Sequence, residues 1–336
     1  MTRHCMSAVL LAALAVLCSG CGQGRTRSDP VGATAADAEV RAATEAEVAR
    51  LRERVAWARK QARASGGSSA SSTAPGSERV RPPNPTAGGM LLSAADGRSF
   101  ARFAASLPGA EGLAVSAVGV GRPVQRLGSI ATGIAWSTSK VPVAMAAVDA
   151  GVADPGDLTA AITASDNEAA MRLWQALGGG AKAARAADAE LRAAGDTTTR
   201  IEPRTLRAGL TPFGQTDWAL AAQARFTAGM TCLASGAKVL ALMGRVVADQ
   251  RFGLGSAGVR AQFKGGWGPG SRPGRSGGYL DRQMGVMVIA GKPVAVAIAS
   301  LPSDGSDATG RRNLTRLARW VARHINTRRL PIQAAC

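Results

Sequence analysis

Ala135-Trp136-Ser137-Thr138-Ser139-Lys140-Val141-Pro142-Val143-Ala144 sets a serine and a lysine three residues apart at the head of an apolar run. On a helix, positions i and i+3 share one face, so the Lys140 amine is placed to reach the Ser137 hydroxyl and take its proton. A helix opening at Ser137 also aims free N–H groups and a partial positive charge at that hydroxyl, which favours alkoxide and oxyanion character. Pro142 fits such a start: the first four N–H groups of a helix have no intrahelical partner, so its ring removes about one bond at most. A Ser-x-x-Lys pair on its own is weak ground for chemistry. Its weight comes from the rest of the chain.

The 336 residues are 46% apolar, enough for a full core, but only 4% aromatic, so alanine, valine and leucine must fill it. A formal charge of +18 invites a nucleic-acid reading. The arginines, however, are scattered through amphipathic stretches without a basic run interleaved with aromatics, which argues against it. An Ala/Arg/Gly-rich composition explains the charge, with affinity for an anionic envelope as a side effect. Histidine is nearly absent: His4 and His324 are the two, and His324 lies in a basic helical run. That leaves no ground for a histidine triad or a histidine metal site, and no metal or cofactor is expected. Lysine or a carboxylate must be the base.

Residues 1–21 combine a short basic start, an apolar core from Met6 to Leu17 and small residues before Cys21, the pattern of an export signal too short to span a membrane. Leu17-Cys18-Ser19-Gly20-Cys21 resembles a bacterial lipobox, with the leucine displaced by one position, and makes Cys21 the candidate lipidated residue. In 22–89 a spacer helix over 36–63 precedes a Ser/Gly/Pro-rich stretch over 64–89 that cannot pack a core and reads as a disordered linker. The folded domain spans 90–330, followed by a short tail, 331–336. Within it, strands are expected at 113–120, 123–129, 260–266, 279–290 and 293–300. Helices are expected at 94–107, from Ser137, at 157–162, 167–177, 182–194, 217–228, 237–248 and 309–325. Strands at both ends with helices between make an α+β domain: an antiparallel sheet of about five strands flanked by terminal helices, with an inserted helical lobe. Cys232 and Cys336 are the only cysteines beyond Cys21, and in an oxidising compartment they are expected to pair.

Behind Ser137-x-x-Lys140 stand Ser165-Asp166-Asn167 at a helix start and Lys264-Gly265-Gly266 on an expected strand. In this order the three motifs resemble those of the penicillin-recognising serine enzymes, nearest to class A β-lactamases. The resemblance covers residues 90–325 and implies a β-lactamase/transpeptidase-like fold. It implies that Ser137 is acylated, that Lys140 is its base or proton relay, and that Ser165 passes a proton to the leaving nitrogen. Asn167, Lys264, Gly266 and Trp267 would bind substrate, with the N–H groups of Ser137 and Trp267 as oxyanion donors. Taken alone, Ser165-Asp166-Asn167 is an ordinary helix cap. The activity implied is acyl transfer from a β-lactam or a peptidoglycan-derived amide. The protein is expected to be an exported monomer of the cell envelope, either anchored to the membrane through a lipid on Cys21 or secreted after plain signal cleavage. The alternatives are a low-turnover envelope binding or scaffold module and a peptidoglycan carboxypeptidase-like enzyme.

The chain departs from that pattern in three places. Ser137 and Ser165 are only 28 positions apart, which implies a shortened helical lobe. Gly265 stands where the third motif carries a hydroxyl, removing one bond to a substrate carboxylate, worth roughly 1.5–3 kcal/mol. Arg200-Ile201-Glu202-Pro203 resembles the segment bearing the deacylating glutamate, but Arg204-Thr205-Leu206-Arg207 follows it where a Leu-Asn pair is usual. Glu202 is therefore the candidate deacylating base in an altered loop, and slow deacylation is expected.

Overall fold

Alternation of large and small apolar residues builds the sheet. In strand β5 (Lys292–Pro302), Val294, Val296 and Ile298 point to one face, and Ala297 and Ala299 to the other. The computed structural model describes residues 90–270, 278–330 and 336. The expected export signal with Cys21, the 36–63 helix, the 64–89 linker and tail residues 331–335 lie outside the described residues. The other strands are β1 (Gly109–Ala117), β2 (Val124–Gly128), β3 (Arg260–Pro269) and β4 (Tyr279–Ile289). They pair antiparallel in the order β2-β1-β5-β4-β3, so the α+β, five-stranded arrangement expected from the sequence is the one observed.

Helices α1 (Ala94–Ala105) and α8 (Asp307–His324) cover the large-residue face, where Phe100 and Trp320 meet edge to face at 5.0 Å. The small-residue face carries the helical lobe: α2 (Lys140–Asp149), α3 (Pro155–Thr159), α4 (Asn167–Ala176), α5 (Gly180–Ala193), α6 (Leu220–Met230) and α7 (Ala234–Met243). Helix α2 is buried from Lys140 to Ala147, as its apolar run from Val141 to Val148 requires. Alanines on both surfaces let α6 pack directly on β1, β4 and β5. The Cys232–Cys336 disulfide ties the end of the chain to the α6–α7 turn, closing a separation of 104 residues. Constraining a loop of that length stabilises by about 4–5 kcal/mol in the chain-entropy picture.

Some boundaries differ from the expected ones. β1 begins at Gly109 instead of 113, because pairing with Pro302 and Leu301 on β5 recruits Gly109 and Ala110 despite their poor strand propensity. The helix expected over 157–162 is α3 followed by a π turn, Ala160–Ala164, that ends at Ser165.

Candidate active site

Ser137 lies on a 3-10 turn, Trp136–Ser139, and the α-helix opens at Lys140 instead of at Ser137. The cause is local. Trp136 takes the left-handed φ of 49°, and the turn is pinned by Thr138 Oγ1 donating to the Ala135 carbonyl (2.5 Å) and Ser139 Oγ donating to the Trp136 carbonyl (2.7 Å). Residues i and i+3 eclipse in a 3-10 turn, so Ser137 and Lys140 still share one side. Pro142 falls at the third residue of α2, where a missing N–H leaves no bond unmade.

Both motif lysines are 1% exposed and converge on Ser165. Lys140 Nζ donates to the Ser165 carbonyl (2.5 Å) and to Asn167 Oδ1 (2.7 Å), and lies 3.4 Å from Ser165 Oγ. Lys264 Nζ donates to the same hydroxyl at 2.8 Å and to the Gly265 carbonyl at 2.8 Å. Ser165 is held left-handed (φ 59°, ψ 30°) where the π turn ends, and Asp166 Oδ1 caps α4 by accepting from Ala169 N–H (2.8 Å). The capping role thus falls to Asp166, leaving Ser165 and Asn167 turned to the lysines. Two of the three non-glycine residues with positive φ among the described residues, Trp136 and Ser165, are at this cluster, the kind of strain that functional sites retain.

Burial pulls the Lys140 ammonium down from 10.5 to about 7, with the nearby Asp166 carboxylate pulling the other way. Burial, and then the charge of Lys140, lower Lys264 well below its ordinary value. Ser137 itself is half-buried. Lys140 makes no hydrogen bond to its hydroxyl, the amine being committed to Ser165 and Asn167. Edge strand β3 runs directly against the serine turn at Gly266: a Cβ there would lie 2.7 Å from Ser137 N and 2.9 Å from Thr138 N. Glycine alone permits this approach, which brings the backbone at Trp267 beside that at Ser137.

No family model matches the chain, and no curated protein sequence matches it. Solved structures do. A class A β-lactamase from Mycobacterium abscessus superposes with a TM-score of 0.52 at 15% identity, over 68% of this chain and 98% of that one. The chromosome-encoded β-lactamase of Vibrio parahaemolyticus gives 0.50 at 16%, again over 68% and 98%. PBP-A gives 0.50 at 18%, over 68% and 95%. This chain has the β-lactamase fold.

Within that β-lactamase-like fold, the glycine at 265 has a physical reason. A Cβ there would meet the Trp267 ring at 3.1 Å, and that ring is held in turn edge to face by Phe252 (5.8 Å) and under Arg311 (4.9 Å). Glu202 does not join the cluster. Its Oε1 accepts from the backbone N–H and the Nε of Arg204, each at 3.0 Å, while Thr216 Oγ1 accepts from its own N–H. A groove of about 380 Å³ continues from Asn167 along Glu168, Met171, Leu210 and Pro212.

Sequence reasoning missed Arg282. It is 1% exposed on β4 opposite Gly266, and burial lowers its guanidinium to about 9, still a cation at neutral pH. It donates to the carbonyls of Gly133 (2.7 Å), Ile134 (3.1 Å) and Trp218 (3.0 Å) and to Gln223 Oε1 (2.7 Å). Gln223 Nε2 in turn donates to Thr138 Oγ1 (2.9 Å), so one buried network fixes the backbone on both sides of Trp136. The signal was available: alternation along 279–290 puts Arg282 on the same face as Met284, a charge on a buried face. Arg207 was also missed; its Nη1 donates to the Pro269 carbonyl (2.7 Å) and its guanidinium lies 6.0 Å from the Trp136 ring.

Proposed function

We propose that the protein is an extracytoplasmic serine acyl-transfer enzyme that opens a β-lactam or a peptidoglycan-derived amide by acylating Ser137, and releases the acyl group slowly. The observation that carries this reading is the pair of buried lysines sharing the Ser165 hydroxyl, one on the helix that follows Ser137 and one on the strand that abuts its backbone at Gly266. An amine with a pKa of about 7 is an effective general base at neutral pH. Neutral Lys140 takes the Ser137 proton as Oγ attacks the carbonyl carbon, a contact that tightens only when substrate is bound. The oxyanion is held by the N–H groups of Ser137 and Trp267, which Gly266 allows to converge. As the C–N bond breaks, Ser165 Oγ gives its proton to the leaving nitrogen and regains one from the lysines bonded to it. Asn167, Lys264 and the strand at Gly266 and Trp267 orient the substrate.

Slow release is supported by Glu202, whose carboxylate is engaged by Arg204 instead of by the lysine cluster. Export is supported by the signal-like residues 1–21 with Cys21 in a lipobox-like setting, and by the Cys232–Cys336 disulfide, a bond of oxidising compartments. We take the protein to act as a monomer. Intact-mass measurement after exposure to a reporter penicillin tests the proposal. One adduct per chain is expected, lost in Ser137→Ala; an adduct that survives the substitution, or none on the wild type, overturns it.

A further inference from the structure

The face of the sheet opposite Ser137 carries a concentration of exposed cations. On α8, Arg312, Arg316, Arg319 and Arg323 are all exposed, at spacings of four, three and four that draw one narrow stripe along the helix. Arg98 and Arg102 on the adjoining α1, and Arg328 and Arg329 just beyond α8, are exposed as well. Among the described residues none of the eight stands in an ion pair, whereas Arg311, at the margin of the stripe, is paired with Asp307 at 2.8 Å. Arg312 donates to Thr309 Oγ1 (2.7 Å), Arg319 donates to the Ser256 carbonyl (3.1 Å) and Arg316 lies 5.8 Å over the Phe103 ring, but none of these contacts supplies a negative charge, and like charges at this spacing disfavour a helix. The apolar side of α8 does not explain it either, being used up in the core by Leu314, Leu317, Trp320 and Val321.

The position of the stripe says what it faces. The chain comes into the domain on this side: the Met90 carbonyl accepts from Arg329 Nη1 (2.8 Å) and the Leu91 carbonyl from Asn326 N–H (3.0 Å). Residues 1–89, with the apolar run from Met6 to Leu17, are thus joined to the domain beside these arginines. At the same place a groove of about 680 Å³ runs between α1 and β2, with Met90, Leu92, Val124 and Leu127 as its apolar lining and Arg126 and Arg329 as its cations. Met90 is 59% exposed, the most exposed large apolar side chain among the described residues.

We propose that this face seats on an anionic phospholipid surface. Guanidinium groups of the α8 and α1 stripes pair with lipid phosphates, for which their planar fork is suited, and the Met90 groove lies at the boundary between headgroup and acyl chain. Ser137 and the lysine cluster, on the lobe face of the sheet, then lie on the side turned from the bilayer. A lipid on Cys21, 69 positions before Met90, would hold the domain near the membrane without fixing which face it presents. The arginines set its orientation.

The test uses the full chain with vesicles of phosphatidylcholine, with and without phosphatidylglycerol. The wild type binds the anionic vesicles more tightly, and high salt removes the excess. A variant with Arg312, Arg316, Arg319 and Arg323 all changed to glutamine loses that excess at least tenfold, while its binding to neutral vesicles, its circular dichroism and its reporter-penicillin labelling are unchanged. Arg98→Gln with Arg102→Gln, on a different helix, lowers it in the same direction and guards against a folding defect in the first variant. The proposal is overturned if the wild type shows no preference for the anionic vesicles, or if both variants keep it. It is overturned equally if a soluble polyphosphate chain is bound and the phosphatidylglycerol vesicles are not, since the partner is then an anionic polymer.

Discussion

The two faces of one sheet bury ionisable side chains in opposite ways. On the lobe face, Lys264 and Arg282 stand on neighbouring strands in rows that continue into Met284, Ala297 and Ala299, and each amine or guanidinium is met by carbonyl or side-chain oxygens. On the α1/α8 face, Glu111, Ser300, Asp281 and Trp267 form one row across β1, β5, β4 and β3. Glu111 Oε1 is met by Ser300 Oγ (3.0 Å) and Asn313 Nδ2 (2.9 Å), but Glu111 Oε2 and both oxygens of Asp281 are buried without a partner. Burial raises Glu111 from 4.5 to about 8, and burial followed by the neighbouring Asp307 carboxylate raises Asp281 from 3.8 to about 9, so both are neutral acids at pH 7. Gly310 on α8 makes the room, since a Cβ there would lie 1.9 Å from Asp281 Oδ2. Burial alone therefore does not mark a reactive group. What separates the clusters is supply: the cationic one is surrounded by hydrogen-bonding oxygens, and the acidic one is left to discharge itself.

The largest effect that distinguishes them is expected at Lys140. Lys140→Met removes the base and leaves Ser137 in place, so reporter-penicillin acylation falls by about 10²–10⁴, the usual weight of general-base assistance. In the wild type the acylation rate rises with pH through about 7, where the amine loses its proton, and then levels off. Stopped-flow acylation across pH 5.5 to 9 measures both; a flat profile would remove Lys140 from the role of base.

The acidic row is expected to act on stability alone. Asp281 has a folded pKa above its unfolded one, so its contribution is complete below about pH 4 and is lost as pH rises toward about 9. Asp281→Asn lacks that loss: between pH 5 and pH 7 its stability declines less than that of the wild type, by on the order of 1 kcal/mol or more in urea titrations. This window lies below that of Lys140, whose lowered pKa acts in the other direction between about 7 and 10.5. Labelling of Ser137 is unchanged in the variant. Equal pH slopes for the two proteins would falsify the neutral-acid account.

Much of this was legible in the residues, because strand alternation and motif order are local properties. Ser137, Lys140, Ser165, Asn167 and Lys264 were singled out by spacing and by resemblance, and the fold brings the last four together through hydrogen bonds. What escaped depends on pairing across the sheet. Glu111 and Asp281 lie 170 positions apart and meet only through Ser300 on the strand between them. Arg282 reads as one more arginine in a basic chain until β3 and β4 are in register and Gly266 stands opposite. The 3-10 start at Ser137 was hidden for a related reason. The left-handed Trp136 is held by an Arg282–Gln223–Thr138 network drawn from three distant segments, and no local propensity encodes it.

The smallest expected effect belongs to Glu202, a carboxylate in neither cluster. Hydrolysis of an acyl-serine ester needs a base to activate water, and such a base must reach the ester through one water at most. Glu202 Oε1 is spent on the backbone and side chain of Arg204, whose guanidinium is well exposed, and Lys140 is influenced by Asp166 as its charged neighbour. Glu202→Gln keeps the shape and one acceptor oxygen, so the post-burst rate of nitrocefin hydrolysis should change by less than about threefold, far below the 10²–10⁴ that a working general base contributes. A burst of roughly one equivalent should precede that slow phase in both proteins, since acylation draws on Ser137 and Lys140 and not on Glu202. Fast steady turnover without a burst in the wild type, slowed selectively at the second step by Glu202→Gln, would place Glu202 at the ester and require its loop to exchange the Arg204 contact for the lysine cluster when substrate binds.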